Sequence, residues 1–457
     1  MCIVVAAAVF LGDGGGLATA GCASVNTLTS FSGSTGTGPK GSKPYAGVLV
    51  GDDGFLYGTT YLGGVNGLPY GYGTVFKVSP AGATSTLFSF NNVNGAQPYA
   101  ALAFGGEGQL YGTTLVGGAG NLGTIFRIST NGSLTTLLSF AGNNGAKPSG
   151  RLTLAADRAF YGTTQLGGSN NLGTIFRLTT NGAFSSLFSF DGTNGSRPYA
   201  EVSVGLDGHL YGTTLTGGAS NLGTVFRITT NGLFTSLFSF GGANGATPYG
   251  GLALDPAGVF YGTTAYGGAN DAGTIFKITT NGVLTTLRLF DGDKDGANPW
   301  STLLRGQDGT YYGTTILGGR AQYVPRGTVF QVATNGDFAV LVSFYDSIGS
   351  SPHGSLAQDA AGNLYGTTFD QGAGLKGTVF RLDPAATRLQ AAMAATGFEI
   401  SWDAWLGKTY QLEYKTNAIQ SQWTGLFNPI SATNGLMTVR EPLQDAGRLY
   451  RLRQISP

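Results

Sequence analysis

The sequence predicts an all-β chain: a seven-bladed β-propeller closed by an N-terminal strand that completes the last blade, followed by a small C-terminal β-sandwich. Three observations lead there. Tyr-Gly-Thr-Thr recurs seven times, from Tyr57, Tyr111, Tyr161, Tyr211, Tyr261, Tyr312 and Tyr365, at spacings of 50 to 54 residues. Each copy is embedded in the same rhythm of four short alternating segments. An outer strand is missing after the last copy, and an orphan of the same type stands before the first.

Residues 1–24 read as a signal-like segment. Cys2 to Leu11 is apolar, and Ala18-Thr19-Ala20 resembles a small-residue cleavage site, so export is expected despite the absence of Lys or Arg before the run. Both cysteines, Cys2 and Cys22, lie in this segment, which leaves the repeats without a disulfide or a Cys-based metal site.

The repeats are expected over residues 25–384. In the second copy the sequence predicts strand a at Ala101–Phe104, b at Gln109–Thr114, c at Gly123–Ser129 and d at Leu134–Phe140. Asn131-Gly132 is expected to supply positive φ angles to a tight c–d hairpin. The strand-c signature Gly-Thr-[Val/Ile]-Phe starts at Gly73, Gly123, Gly173, Gly223, Gly273, Gly327 and Gly377. The strand-d Phe recurs at Phe31, Phe90, Phe140, Phe190, Phe240, Phe290 and Phe344, beginning before any other strand. Thr27–Phe31 therefore supplies the strand that the unit ending near Arg381 lacks, and closure hides both edges of the array. With b and c paired symmetrically, Gly112 faces the ring of Phe126 and Tyr111 faces Arg127, which suggests a repeated cation–π contact.

Pro384-Ala385-Ala386 reads as a linker. Beyond it, residues 388–457 show alternating runs at Phe398–Trp402, Tyr410–Tyr414, Met437–Arg440 and Leu449–Arg453, the pattern of a small antiparallel sandwich. This module is similar to fibronectin type III-like domains through Ile400-Ser401-Trp402, Tyr410–Tyr414 and Leu449–Leu452.

Composition narrows the partners. Only 11% of the 457 residues are charged and the net charge is +1, so no electrostatic footprint for nucleic acid exists, and no apolar run is long enough for a membrane span. A monomer is expected. Gly is abundant at 78 residues, but 41% of the chain is hydrophobic, which places those glycines in turns of a folded sheet protein.

The repeat, as in Leu110-Tyr-Gly-Thr-Thr-Leu-Val-Gly-Gly to Asn121-Leu-Gly-Thr-Ile-Phe-Arg127, resembles the GloVer tandem repeat of bacterial choice-of-anchor proteins over roughly residues 25 to 383. The resemblance implies export and surface display by interchangeable C-terminal anchors and carries no catalytic residues. Arg451–Pro457 departs from the anchored pattern, since it lacks an apolar span followed by basic residues.

Candidate site residues come from the d–a loops, which in a propeller share a face with the b–c loops. The residue after the loop proline forms the series Tyr45, Tyr99, Ser149, Tyr199, Tyr249, Trp300 and His353 around the channel mouth. The residue before it gives Lys43, Gln97, Lys147, Arg197, Thr247, Asn298 and Ser351. Flat rings with cationic and amide neighbours suit extracellular glycan or protein recognition; a bland role, with rings wedged between blades, is the competing reading. The longer b–c loops, Leu62–Tyr72 with Tyr70 and Leu317–Arg326 with Arg320 and Tyr323, break the repeat on the same face. Asp291, Asp293 and Asp295 imitate the start of a calcium loop, although Pro299 and Thr302 occupy later ligand positions. No catalytic constellation is recognisable. The expectation is a non-catalytic binding or adhesion protein; the alternative is a secreted lyase or hydrolase using His353 as base.

Overall fold

The structure, a computed structural model, describes residues 18–20, 25–33, 41–319, 326–382, 389–394, 397–403, 409–415, 422, 424–431, 436–441 and 449–455. Among them every regular element is a β-strand. Seven four-stranded antiparallel sheets follow one another along the chain. The second is Ala103–Phe104, Gln109–Thr114, Thr124–Ser129 and Leu134–Ser139, and its neighbours repeat it. The last sheet pairs Ala357–Gln358, Leu364–Thr368 and Thr378–Leu382 with Val25–Ser30 from the N-terminus, in the register Thr27 to Phe380, and Phe31 N–H donates to Gly377 O at 3.0 Å.

Strands b and c are buried on both faces while d is partly exposed, which is why b and c carry no polar alternation. Buried side chains form a core between each sheet and the next. Ile125 and Phe140 of the second meet Phe160 and Phe176 of the third. The last such core joins the seventh sheet to the first, through Phe31, Tyr365 and Val379 against Val48, Leu56 and Phe76.

Each letter of Tyr-Gly-Thr-Thr has a framework task. In five of the seven copies the Tyr hydroxyl donates to an a–b turn carboxylate, as Tyr57 to Asp53 and Tyr211 to Asp207, both 2.7 Å, while Tyr111 donates to Thr180 O. Arg127 does lie opposite Tyr111, but cation-over-ring contacts occur elsewhere, as in Lys77 over Phe55; the repeated interaction is hydroxyl to carboxylate, which the expectation of cation–π pairing missed. The Gly faces Phe as expected: a Cβ on Gly212 would stand 2.5 Å from Phe226 Cζ. The first Thr, Thr113 excepted, donates to the segment that leads into the inner strand of the following sheet, as Thr163 to Ala200 O at 2.8 Å, and Thr367 of the seventh sheet donates to Ala46 O at 2.8 Å beside the first. The second Thr pairs with the strand-c Thr, as Thr214 with Thr224 at 2.8 Å.

Two local expectations change. Strand a is two residues long, since the preceding residues pack against neighbouring sheets and their carbonyls are taken by Thr hydroxyls. In the c–d turn only Gly132 has positive φ; Asn131 stays in the ordinary region and its side chain accepts from Ser133 N–H at 3.3 Å, as in a type I turn closed by a glycine.

Toward the C-terminus there are two more sheets. One contains Leu389–Ala394, Gly397–Asp403 and Leu436–Glu441, with Ala18–Ala20 paired to Leu389–Ala391 at its edge. The other centres on Thr409–Lys415, flanked by Leu449–Ile455. Tyr410 and Leu412 are buried in one core with Phe344, Leu364 and Leu382, so this region packs on the sixth and seventh sheets. Cys2, Cys22 and the Pro384–Ala386 linker lie outside the described residues.

Candidate functional site

All seven sheets contribute their innermost segments to one cavity of about 360 Å3. Tyr45, Tyr99, Ser149, Tyr199, Tyr249, Trp300 and His353 all line it, so the residue after each loop proline does converge on one place. The rings touch one another in a continuous circuit. Tyr45 meets Tyr99 at 3.8 Å between centroids, Tyr99 meets Tyr199 edge-on at 5.6 Å, and Tyr199 meets Tyr249 at 4.9 Å. Tyr249 stacks on Trp300 at 4.1 Å, Trp300 meets His353 at 5.2 Å, and His353 returns to Tyr45 at 4.4 Å. Ser149 is small and buried, which lets the Tyr99 and Tyr199 rings meet across it. Tyr199 hydrogen-bonds Tyr99 through the hydroxyls, and both share bonds with Tyr45. Burial pushes the Tyr45 phenol up to about 12 and raises those of Tyr99 and Tyr199, so the cluster is neutral at physiological pH.

His353 belongs to the same packing. Its Nδ1 lies 2.8 Å from Ser351 O and donates to it, which fixes the tautomer, while the Phe369 ring sits 4.9 Å away. Burial lowers its pKa to about 4, against the pull of the Ser351 carbonyl and with help from Lys43. The imidazole is therefore an uncharged ring at neutral pH and a weak proton acceptor.

The cations expected with the rings are held apart from the cavity. Lys43, Lys147 and Arg197 do not line it; they lie in the d–a loops, two residues before the cavity-lining positions in the chain. Bridges such as Ser42 to Leu62 and Ser196 to Thr216 join these loops to the b–c loops, so the two sets do share a face. Lys43 pairs with Asp370 at 3.4 Å and lies over Phe369 at 4.3 Å. All seven residues before the prolines adopt φ between 53° and 56°, with each N–H donating to a b–c loop carbonyl, as Lys147 to Leu122 O and Arg197 to Leu172 O, both 2.8 Å.

Of the longer b–c loops, Tyr70 stands exposed and Arg326 pairs with Asp346, while Arg320 and Tyr323 lie outside the described residues. Asp291, Asp293 and Asp295 do not converge as ligands. Asp295 is buried and accepts from Arg288 Nη2 at 2.7 Å and from Asp291 N–H at 2.8 Å, so a guanidinium stands beside the carboxylate that calcium would need. Among the described residues no three His, Cys, Asp or Glu side chains are grouped to hold a metal.

Sequence reasoning missed Arg151 and Glu201, which line the cavity three residues after Pro148 and Pro198. Their signal was available: the same repeat position holds Gly47, Ala101, Gly251, Thr302 and Ser355 elsewhere.

Comparison with solved structures gives the BP39L lectin of Burkholderia pseudomallei at 10% identity, covering 80% of this chain and 96% of that one, with a TM-score of 0.51. A gluconolactonase of Xanthomonas campestris matches at 13% identity over 67% of this chain and 89% of that one, with a TM-score of 0.42. At such identities the likeness to the lectin concerns the fold alone. No curated protein matches. The Gloeobacter/Verrucomicrobia repeat model matches residues 45–256 and 205–404, and the chain belongs to that repeat family.

Proposed function

We propose that the seven sheets close into a seven-bladed β-propeller over residues 25–384, and that the chain is an exported, non-catalytic binding protein recognising glycan or protein through the d–a loop face. Closure is supported by the core and the Thr367 bond that join the seventh sheet to the first. Residues 388–457 serve in this reading as a spacer or second adhesion module.

One observation carries the binding reading. The chain places glycine at dozens of left-handed positions, yet at the seven collar positions it keeps Lys43, Gln97, Lys147, Arg197, Thr247, Asn298 and Ser351 at φ where glycine is easiest. Such a conformation costs a side-chain-bearing residue about 1 kcal/mol. Asn298 earns a structural return through its bond to Ala265 O at 2.8 Å, and Lys43 through Asp370. Lys147 and Arg197 make no such side-chain bond among the described residues, which leaves a ligand as the reason to keep them. His353 acts here as an aromatic surface, not a base.

The test replaces Lys147 and Arg197 by glycine and screens the protein against glycans and cell-wall polymers, reading both binding and product formation. The variants should keep or gain stability, by up to about 1 kcal/mol, while losing binding. Retained binding in both, or turnover that depends on His353, would overturn the reading.

A further inference from the structure

The cavity lined by the rings holds two charges without partners among the described residues. Arg151 and Glu201 lie on the segments that lead into two adjacent inner strands, and the backbones of these segments touch: a Cβ on Gly150 would come within 2.5 Å of Ala200 C and 2.7 Å of Glu201 N. Even so, neither side chain makes a hydrogen bond or ion pair with a described residue. The Glu201 carboxyl leans toward the next sheet, where a Cβ on Gly251 would meet its Cδ at 3.2 Å. Arg151 is exposed. The small residues Gly47, Ala101 and Ser355 line the same cavity, as do the stacked rings of Tyr249 and Trp300. Trp300 also has a buried indole N–H with no acceptor among the described residues.

We propose that this cavity is a second binding site, distinct from the loop face, for a small zwitterion of the α-amino acid class with an apolar side chain. Charge decides between ligand classes. A simple anion would be repelled by Glu201 about as strongly as Arg151 attracts it, because the two charges sit on neighbouring strands. A neutral apolar ligand would desolvate both and satisfy neither, and a neutral polar one would offer each charge only an uncharged hydrogen-bond partner, weaker than a charged one. A zwitterion places its carboxylate on the Arg151 guanidinium, which can accept it through two parallel N–H donors, and its ammonium on Glu201. Its side chain then lies against the stacked rings, in the space left by the small residues.

The proposal is tested by calorimetry on the full chain with L-leucine and L-phenylalanine, their N-acetyl derivatives, which lack the ammonium, and their amides, which lack the carboxylate. The free amino acids should bind about tenfold or more tightly than either derivative, the effect of losing one charge-assisted contact. Arg151→Met should abolish discrimination against the amide alone, and Glu201→Gln discrimination against the N-acetyl form alone. Lys147→Gly and Arg197→Gly should leave amino acid binding unchanged, which separates this site from the loop face. Absence of binding at millimolar concentration, equal binding of the derivatives, or tighter binding of glucuronate overturns it. Should either variant fail to fold, the comparison of derivatives on the unaltered protein decides alone.

Discussion

His353 makes stability depend on pH in a way that can be isolated. Buried among Tyr45, Trp300 and Phe369, with Lys43 nearby, its imidazole has a pKa lowered from 6.5 to about 4. The folded protein therefore binds this proton less readily than the unfolded chain. Its contribution is fully present above pH 6.5 and is lost as pH falls toward 4. The shift is 6.5 minus 4, or 2.5; at about 1.4 kcal/mol per pKa unit, the loss is at most about 3 kcal/mol, less whatever solvent reaches the ring. Carboxylates titrate nearby. Burial works to raise Asp157 and Asp207, but hydrogen bonds from Arg177 and Tyr211 outweigh it and hold both below the ordinary value. His353→Phe, which keeps a ring, removes only the histidine's share. Denaturant unfolding of both proteins from pH 7 to pH 4 should show their stability difference moving by about 2 to 3 kcal/mol in favour of the variant. With two histidines in the chain, an NMR titration assigns the shift directly. Parallel stability curves, or a His353 imidazole titrating near 6.5, would refute the assignment.

Three more outcomes follow from the framework. Thr163→Val breaks the bond to Ala200 O and should cost about 1 kcal/mol, whereas Thr113→Val at the same repeat position should be neutral or stabilising, because Thr113 Oγ1 is buried with no partner among the described residues; chemical denaturation separates the two. Phe31→Ala should destabilise by about 3 to 5 kcal/mol, as much as Phe140→Ala, since the first strand is an integral part of the seventh sheet; a much smaller loss would mean that this strand is dispensable. Gly212→Ala should cost about 1 to 3 kcal/mol by driving a methyl into the Phe226 ring, and Phe226→Leu in the same chain should recover part of that loss in a thermal melt.

The sheets were legible because the repeat reports three strands independently, and the mismatch between the Phe31 and Gly377 series located the strand that pairs with Thr378–Leu382. The convergence of Tyr45, Tyr199 and Trp300 was legible too, from their constant offset to proline. Their contact with one another was not, since ring against ring depends on how close seven inner segments come, a distance no offset encodes. Asp291, Asp293 and Asp295 show the opposite failure. Spacing suggested ligands, but Arg288, four residues before the loop reaches Gly292, lies close enough in space to take the Asp295 carboxylate. The tyrosine and its turn carboxylate, four residues apart in Tyr57 and Asp53, could have been paired from sequence had the hydroxyl been considered as well as the ring.

The division of labour within the repeat explains where specificity can reside. Tyrosine, glycine and both threonines are committed: to a turn carboxylate, a phenylalanine ring, the next sheet and the neighbouring strand. Changing any that is so bonded, unlike Thr113, disturbs a sheet and its junction. The inner strand contributes only two ladder residues, so the position three after the proline lies outside the ladder and lines the cavity in six of the seven sheets, with little duty to the framework beyond the Gly251 N–H bond that Thr302 accepts. A charge placed there costs the fold almost nothing while water reaches it, and pairing one sign on the third sheet with the other on the fourth turns a cavity of near-identical walls into one with a direction. On that physical ground, substitutions at Arg151 and Glu201 should alter ligand choice without altering stability, whereas the conspicuous tetrapeptide should do the reverse.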